Sequence, residues 1–232
     1  QARDAVAHVQ AWRVFTLFEL GRGAEAIVAA QSLDQTDEER RNSPYPYVKC
    51  QAGRALLLMS SGNIRRAREI AQELVEFGRA NGNARAEAFG HYGMCRFWRF
   101  AHDYERAAAS AEAGMAAAKD PFFRAMNAIL LAGSLLTAKR TAAALDLCNE
   151  WLPYFETNAN YYFGQQLRLV HHVGAMAGGR ISDGMRGVMA GMPGLRSTDI
   201  QASASLFERV LLGIYVGVVC KDGKATLGAV MR

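Results

Sequence analysis

Histidine and cysteine side chains are the first candidates for chemistry in this chain of 232 residues. His171 and His172 are adjacent, and adjacent residues of a helix point about 100° apart, so this pair cannot chelate one ion together. His91 and Cys95 lie four residues apart on one helical face. Zinc takes three or four protein ligands, so this pair is also insufficient. The sequence therefore predicts no metal site and no cofactor.

Two glycine pairs, Gly21 with Gly23 and Gly178 with Gly179, are candidates for phosphate loops. Neither follows a strand or carries the Lys-Ser/Thr of a P-loop. No serine or cysteine lies in the context of a nucleophile elbow. We therefore expect no catalytic residue and no enzyme activity, because an enzyme would require a reactive cluster that these residues do not form.

A run of basic residues, Arg65-Arg66-Ala67-Arg68, is a candidate for nucleic-acid binding. Glu69, Glu73 and Glu76 follow in the same helical segment, so the run is more simply a solvated helix face. Repeats that read RNA base by base also need polar pairs at fixed places in each unit, which are not found. We predict no direct nucleic-acid contact by this segment.

Arg96 and Arg99 have the clearest ligand chemistry. Three residues apart on a helix, they share a face and are able to grip a carboxylate or phosphate between them. Phe89, Tyr92 and Phe100 lie in the same segment, and aromatic rings supply contact area and stack on guanidinium groups. This segment is therefore the best candidate for a binding site.

The composition limits the class of protein. Half of the residues are apolar and only five are proline, which favours helix. No run of about 18 uncharged apolar residues occurs, so we expect no membrane span. The four cysteines are far apart, which favours reduced, buried thiols and a cytoplasmic location.

One short pattern recurs along the chain: a small or polar turn, followed by alanine at the start of an amphipathic run. Its copies are residues 21–26, 62–67, 102–107, 139–144, 179–184 and a weaker one at 222–227. Their last positions are 41, 40, 37, 40 and 43 residues apart. Each unit holds two segments of helical period, and no segment alternates as a strand does.

The copies at 62–67 and 102–107 resemble the turn of the tetratricopeptide repeat (TPR), a G-D-Y-x-x-A pattern. The family's small residue of the first helix, twelve positions before that alanine, is matched at three positions and not at three others. The matches are Ala55, Cys95 and Ala132, and the exceptions are Val14, His172 and Tyr215. The period is nearer 40 than the standard 34. Long repeats of this kind resemble the helical arrays of LuxR-type ATP-dependent transcription regulators and class III nucleotide cyclases.

The resemblance implies an all-α fold, a right-handed superhelical array of helix-turn-helix repeats. We expect one domain over residues 1–232 with about six repeats, the last truncated, in a fragment of a longer protein. Ala67, Ala107 and Ala144 should be buried at the hairpin crossings, whereas Ala108 should be more tolerant of substitution.

The family also uses five positions of each first helix to line a concave groove. These positions correspond here to Phe15, Phe18, Leu56, Met59, Phe89, Tyr92, Arg96, Arg99, Phe100, Met126, Ile129, Leu136, Gln166, Leu169 and Met176. The alternative is that these residues pack as core, with the arginine heads at the rim.

We therefore expect a ligand- or partner-sensing module of a multidomain bacterial signalling or transcription regulator. Its site would comprise Met59, Phe89, Tyr92, Arg96, Arg99 and Phe100. The partner would be a protein or peptide, or a small anionic or apolar effector, and other domains of the parent chain would read out the change; no membrane contact is expected. The alternative is a passive protein–protein interaction scaffold with a peptide-binding groove.

Overall fold

Ten helices contain nearly all of the residues that the computed structural model describes, which are 2–19, 22–31, 44–60, 62–158 and 161–195. The helices are α1 (Ala2–Glu19), α2 (Gly23–Gln31), α3 (Pro44–Ser60), α4 (Ile64–Ala80), α5 (Ala84–Phe100), α6 (Tyr104–Ala117), α7 (Pro121–Thr137), α8 (Thr141–Thr157), α9 (Tyr161–Ala177) and α10 (Ile181–Leu195). None of these residues is in a strand, so the all-α class is confirmed for this part of the chain. No helix within it is both long and apolar enough to cross a membrane.

The helices pack mainly on their neighbours in the sequence. Each odd-numbered helix contacts the even-numbered helix that follows it, and each even-numbered helix from α2 to α8 contacts the next odd-numbered one. In addition, α1 contacts α3, α3 contacts α5, α5 contacts α7, and α7 contacts α9. The odd-numbered helices therefore form one continuous series, called here the odd row, and the even-numbered helices pack against it.

The turns inside four hairpins share one backbone conformation. Their central residues have positive φ angles of 84°, 58°, 63° and 90°; they are Gly62, His102, Lys139 and Gly179. In each turn the next amide donates to the carbonyl five residues back, as Asp103 does to Trp98 at 2.9 Å, which satisfies a carbonyl at the helix end. The turns predicted near residues 62, 102, 139 and 179 are confirmed, whereas those near 21 and 222 lie outside the described residues.

Side-chain caps fix where three helices begin. The Asp120 carboxylate accepts a hydrogen bond from the Phe122 amide at 2.9 Å, and Pro121 occupies the first helical turn of α7. Asn83 and Asp103 cap α5 and α6 in the same way. These caps satisfy amides that have no partner inside the helix.

Small residues are buried where the two helices of a hairpin cross. Ala67, Ala107 and Ala144 are at most 1% exposed, as the repeat register predicts. The small residues twelve positions earlier are buried as well; they are Ala55, Cys95 and Ala132. Small side chains on both helices allow the backbones to approach closely.

Consecutive hairpins meet at a similar crossing between α4 and α5, made by glycine. A Cβ atom added at Gly90 would lie 2.6 Å from the Val75 nitrogen, and one added at Gly93 would lie 2.8 Å from the Ala71 Cβ. At Gly78, a Cβ would overlap the backbone of α5. Any side chain at these three positions would force the helices apart.

The α9–α10 hairpin also has a close crossing, but its first helix carries a large residue there and its second helix carries glycine. His172 occupies the position where earlier units have a small residue, and Gly184 stands where they have alanine. A Cβ at Gly184 would overlap Met176, and a Cβ at Gly187 would overlap the His172 ring. Glycine on α10 therefore accommodates the large residue on α9.

A buried carboxamide fixes α7 against its two predecessors. Asn127 is 1% exposed, and its Nδ2 donates to the carbonyl oxygens of Phe123 at 3.0 Å and of Ala88, on α5, at 3.3 Å. The other side of the carboxamide lies against Gly114 of α6, where a Cβ would overlap it. This contact sets the position of α7 beside α5.

Replacing Ala107 with leucine should overfill a hairpin crossing. We expect Ala107→Leu to reduce the free energy of unfolding by about 1–3 kcal/mol, measured by urea titration. Ala108 is unsuitable as a tolerant control, contrary to the sequence prediction, because it is 2% exposed and packs in the same cluster. The exposed neighbour Ala109 is the matched control, and Ala109→Leu should change stability by no more than about 0.5 kcal/mol. Equal stability of the two variants would contradict the register.

Replacing Gly90 with alanine tests the crossing between repeats. Alanine is the better helix former by about 1 kcal/mol, so propensity alone would make Gly90→Ala stabilising. We expect a net loss of about 1–3 kcal/mol instead, because the new Cβ would overlap α4. Gly23→Ala is the control, since the nearest side-chain atom to its added Cβ is 4.0 Å away. A gain in stability at Gly90 would show that α4 and α5 are not in close contact.

Candidate functional site

The structure brings two members of the predicted site into direct contact. The Arg96 Nη1 donates a hydrogen bond to the Tyr92 hydroxyl at 3.2 Å, and the guanidinium carbon lies 5.8 Å from the Tyr92 ring centroid. The four-residue spacing on α5 places the two side chains on one face. Tyr92 therefore holds the Arg96 guanidinium in a defined position.

Arg99 extends from α5 to α7. Its guanidinium lies over Gly133, where an added Cβ would be 3.3 Å from Nη1 and 3.4 Å from Cζ. Among the described residues, no hydrogen bond or ion pair engages the side chain of Arg99, which is half-buried. Gly133 thus leaves room on α7 for the Arg99 guanidinium. No other described residue accepts a hydrogen bond from its N–H groups.

Lys49, on α3, is a further cation of the odd row that sequence reasoning missed. Its Nζ lies 3.9 Å from the centroid of the Trp12 ring of α1 and 5.7 Å from that of Phe89 on α5. It is 8% exposed, and lysine is rarely buried this far without such contacts. A signal was present, because Lys49 lies forty residues before Phe89, at the equivalent position of the preceding unit.

Four other predicted groove residues pack as core rather than on an open surface. Phe89 is 5% exposed and meets Phe123 edge to face, with ring centroids 4.9 Å apart. Met126, Ile129 and Met176 are buried as well. Half-buried positions are Leu56, Met59, Leu136, Gln166 and Leu169. The side chains of Phe15 and Phe18 lie outside the described residues.

Phe100 is different, because it is 59% exposed at the end of α5. The buried positions match the alternative in which the apolar residues form core and the arginine heads stay at its rim. The groove members of α5 that keep solvent exposure are defined here as the Arg96–Arg99 patch: Tyr92, Arg96, Arg99 and Phe100.

Basic residues predominate on the odd row. Helices α3, α5, α7 and α9 carry seven lysines and arginines but a single carboxylate, Glu87. Glu87 pairs with Arg79 of α4 at 2.8 Å. The even-numbered helices α4, α6, α8 and α10 carry six arginines and nine carboxylates. The two sets of helices therefore differ in the sign of their net charge.

The basic run at the start of α4 lies on a solvated helix face, as the sequence predicts, and part of it is paired with carboxylates. Arg66 contacts Glu69 at 3.1 Å and Glu73 at 2.8 Å. Arg68 instead lies over the Trp98 ring at 5.3 Å, and Arg106 of α6 lies over the same ring at 4.8 Å. Sequence reasoning missed this cation–aromatic cluster, because it joins three helices.

His91 and Cys95 face different neighbours, although they share a helix. The His91 Nε2 lies 3.4 Å from the Arg79 Nη2 on α4, whereas the Cys95 Sγ lies 3.6 Å from the Ser134 Oγ on α7. Burial lowers the pKa of His91 and raises the pKa of the Cys95 thiol. In the described part of the chain, no three His, Cys, Asp or Glu residues are grouped to hold a metal ion.

A cleft of about 480 Å³ lies between the starts of α5 and α7. Its polar groups are engaged with one another: Arg85 contacts Asp120 at 3.3 Å, while Asn83 and Asp120 cap their helices. The Arg85 guanidinium also lies 5.7 Å from the Phe123 ring centroid. The cleft therefore has less unused binding capacity than the Arg96–Arg99 patch.

The described cysteines should be inert in the native protein. Cys50, Cys95 and Cys148 are buried, and burial raises the pKa of the Cys148 thiol to about 12. Because the thiolate is the reactive species, iodoacetamide at pH 8 should leave Cys95 and Cys148 unmodified until denaturant is added. Peptide mass spectrometry would measure this. Rapid native alkylation of Cys148, or fewer than four reactive thiols after denaturation without reductant, would contradict the prediction.

Comparison of the chain with family models, with curated proteins and with solved structures finds no match.

Proposed function

We propose that this chain is a TPR-like helical repeat module that binds an anionic effector or an acidic protein segment at the Arg96–Arg99 patch. In this proposal the array forms a right-handed superhelix, belongs to a larger cytoplasmic regulator of signalling or transcription, and passes the bound state to neighbouring domains. The shared turn conformation at Gly62, His102, Lys139 and Gly179 supports a repeat, as does the contact of each odd-numbered helix with the next.

The observation that carries the binding proposal is the environment of Arg99. A half-buried guanidinium without a hydrogen bond or ion pair to any described residue retains its full donor capacity. A carboxylate or phosphate would take two of these donors at once, and such charge-assisted pairs are among the stronger hydrogen bonds in proteins. Partial burial strengthens this attraction because less water screens it.

Two features of the surroundings favour the same site. Tyr92 already orients the Arg96 guanidinium, so less side-chain entropy is lost on binding. The excess of basic residues on the odd row raises the local concentration of anions. Phe100, exposed beside the arginines, offers apolar contact to the uncharged part of a ligand.

The position of Arg99 also provides a mechanism for sensing. Arg99 belongs to α5 and lies against α7, so a ligand bound to it contacts two consecutive repeats. A ligand that binds one arrangement of α5 and α7 more tightly than another shifts the population toward it. A passive scaffold would bind at the same patch without this shift, and it is the second candidate function.

Two probes test the site: citrate, by titration calorimetry, and a fluorescein-labelled peptide of glutamate and leucine, by anisotropy. We expect Arg99→Gln to weaken binding of at least one probe roughly tenfold or more, since a hydrogen bond to a charged group contributes about 1.5–3 kcal/mol. Arg65→Gln removes the same charge from α4, where the side chain is 93% exposed, and should change affinity less than twofold. Thermal melts should show both variants folded.

If Arg99→Gln and Arg65→Gln weakened probe binding equally, the probes would be attracted by the net charge of the protein alone. If neither probe bound, the site would be refuted. Small-angle scattering with the bound probe separates the two functions. A change in the radius of gyration indicates a sensor, whereas an unchanged radius at saturation indicates a scaffold.

A further inference from the structure

The last described hairpin holds a histidine inside a contact made by glycine. The His172 ring of α9 fills the space left by the missing side chain of Gly187 on α10, and the neighbouring Gly184 lies against Met176 and the His172 carbonyl. Among the described residues, α10 packs mainly on α9. The packing of α10 against α9 therefore depends on the size and the charge of the His172 ring.

The charged groups around this ring are mainly basic. On α9, the His171 ring lies 5.6 Å from the His172 ring, and Arg168 is one helical turn away. Arg180, in the turn before α10, acts on His171. Protonation of His172 would add a positive charge to this set.

The nearby carboxylates are already paired. Glu156 of α8 contacts Arg168 at 3.0 Å, and Asp183 of α10 contacts Arg186 at 3.4 Å. No described carboxylate lies within 4.0 Å of the His172 ring nitrogens. An imidazolium at this half-buried position would be partly desolvated with no carboxylate partner to compensate it.

We propose that the α9–α10 hairpin is a pH-sensitive latch, in which protonation of His172 releases α10 from α9. In the neutral form the ring packs against glycine as an apolar group would. In the protonated form the half-buried ring requires fuller hydration than the contact with Gly187 allows, so it leaves the space opposite Gly187. Helix α10 then loses its main contact with the described part of the chain.

The direction of the pH dependence follows from the environment. Burial, the neighbouring His171 and Arg168 all lower the pKa of His172 below its ordinary value of 6.5. Burial and Arg180 lower the pKa of His171 in the same way. A histidine whose pKa is lower in the docked state than in the released state makes docking of α10 depend on pH. Its contribution to the stability of the docked state is fully present above pH 6.5. That stability is lost as pH falls below 6.5 toward the pKa of the docked state.

Linkage also limits the size of the effect. One titrating group changes the opening equilibrium by at most about tenfold per pH unit, and two groups by at most about a hundredfold. We expect the slope for wild type to stay below the two-group limit, with His172 contributing the larger part. Helix α7 contains no histidine and no carboxylate, and it serves as the internal reference.

Hydrogen exchange with mass spectrometry, expressed as protection factors between pH 5 and pH 8, measures this release on the full chain. Protection of α10 should fall with pH in wild type, while protection of α7 stays nearly constant. His172→Gln keeps a polar side chain of similar size that does not titrate, so the fall should be largely abolished. His171→Gln is the matched control and should reduce the slope only in part.

Two further measurements keep the proposal testable if His172→Gln fails to dock. Gly187→Ala should expose α10 at every pH, because its Cβ displaces the ring, and it should lose the pH dependence. NMR titration of the wild-type His172 ring should give a pKa below 6.5, with release of α10 at the same midpoint. A pKa at or above 6.5, constant protection of α10, or an unchanged slope in His172→Gln with α10 docked would overturn the latch.

Discussion

Close approach between helices that carry small residues is the constraint on which this structure depends. A single helical hairpin has two apolar faces and buries only one of them, so each hairpin must pack on the next. At the α4–α5 crossing, Gly78, Gly90 and Gly93 permit this approach. Alanines 67, 107 and 144 do the same within hairpins. The odd row forms because close crossings within hairpins alternate along the chain with close crossings between hairpins.

The candidate site depends on how the helices of the odd row pack on one another. Arg99 lies against α7 at Gly133, which has no side chain, and Asn127 fixes α7 beside α5. Lys49 is buried only because α1 and α5 each bring an aromatic ring to it. The cations are therefore positioned by contacts between repeats, and a change in repeat packing would alter their arrangement.

Features that depend on local sequence could be predicted, and features that depend on the distance between helices could not. The turns at residues 62 and 102 follow from small or polar residues that end one helix, and the start of α7 follows from Asp120-Pro121. Whether Phe89 lines a groove or enters the core depends on how closely α3, α5 and α7 stack, which periodicity does not encode. For the same reason, the sequence indicated a mismatch at His172 but not its accommodation by Gly187.

The contact pattern has a consequence for how the chain folds. Nearly every contact joins helices that are adjacent or next-but-one in sequence, so the mean sequence separation of contacting residues is small. Loop-closure entropy is then modest at every step, and such topologies fold quickly for their stability. Folding is able to nucleate at a central pair such as α4 and α5 and extend toward both ends. In reverse, terminal helices detach one after another without disturbing the centre, so one probe placed at the end of the array and another in its middle would report different unfolding transitions.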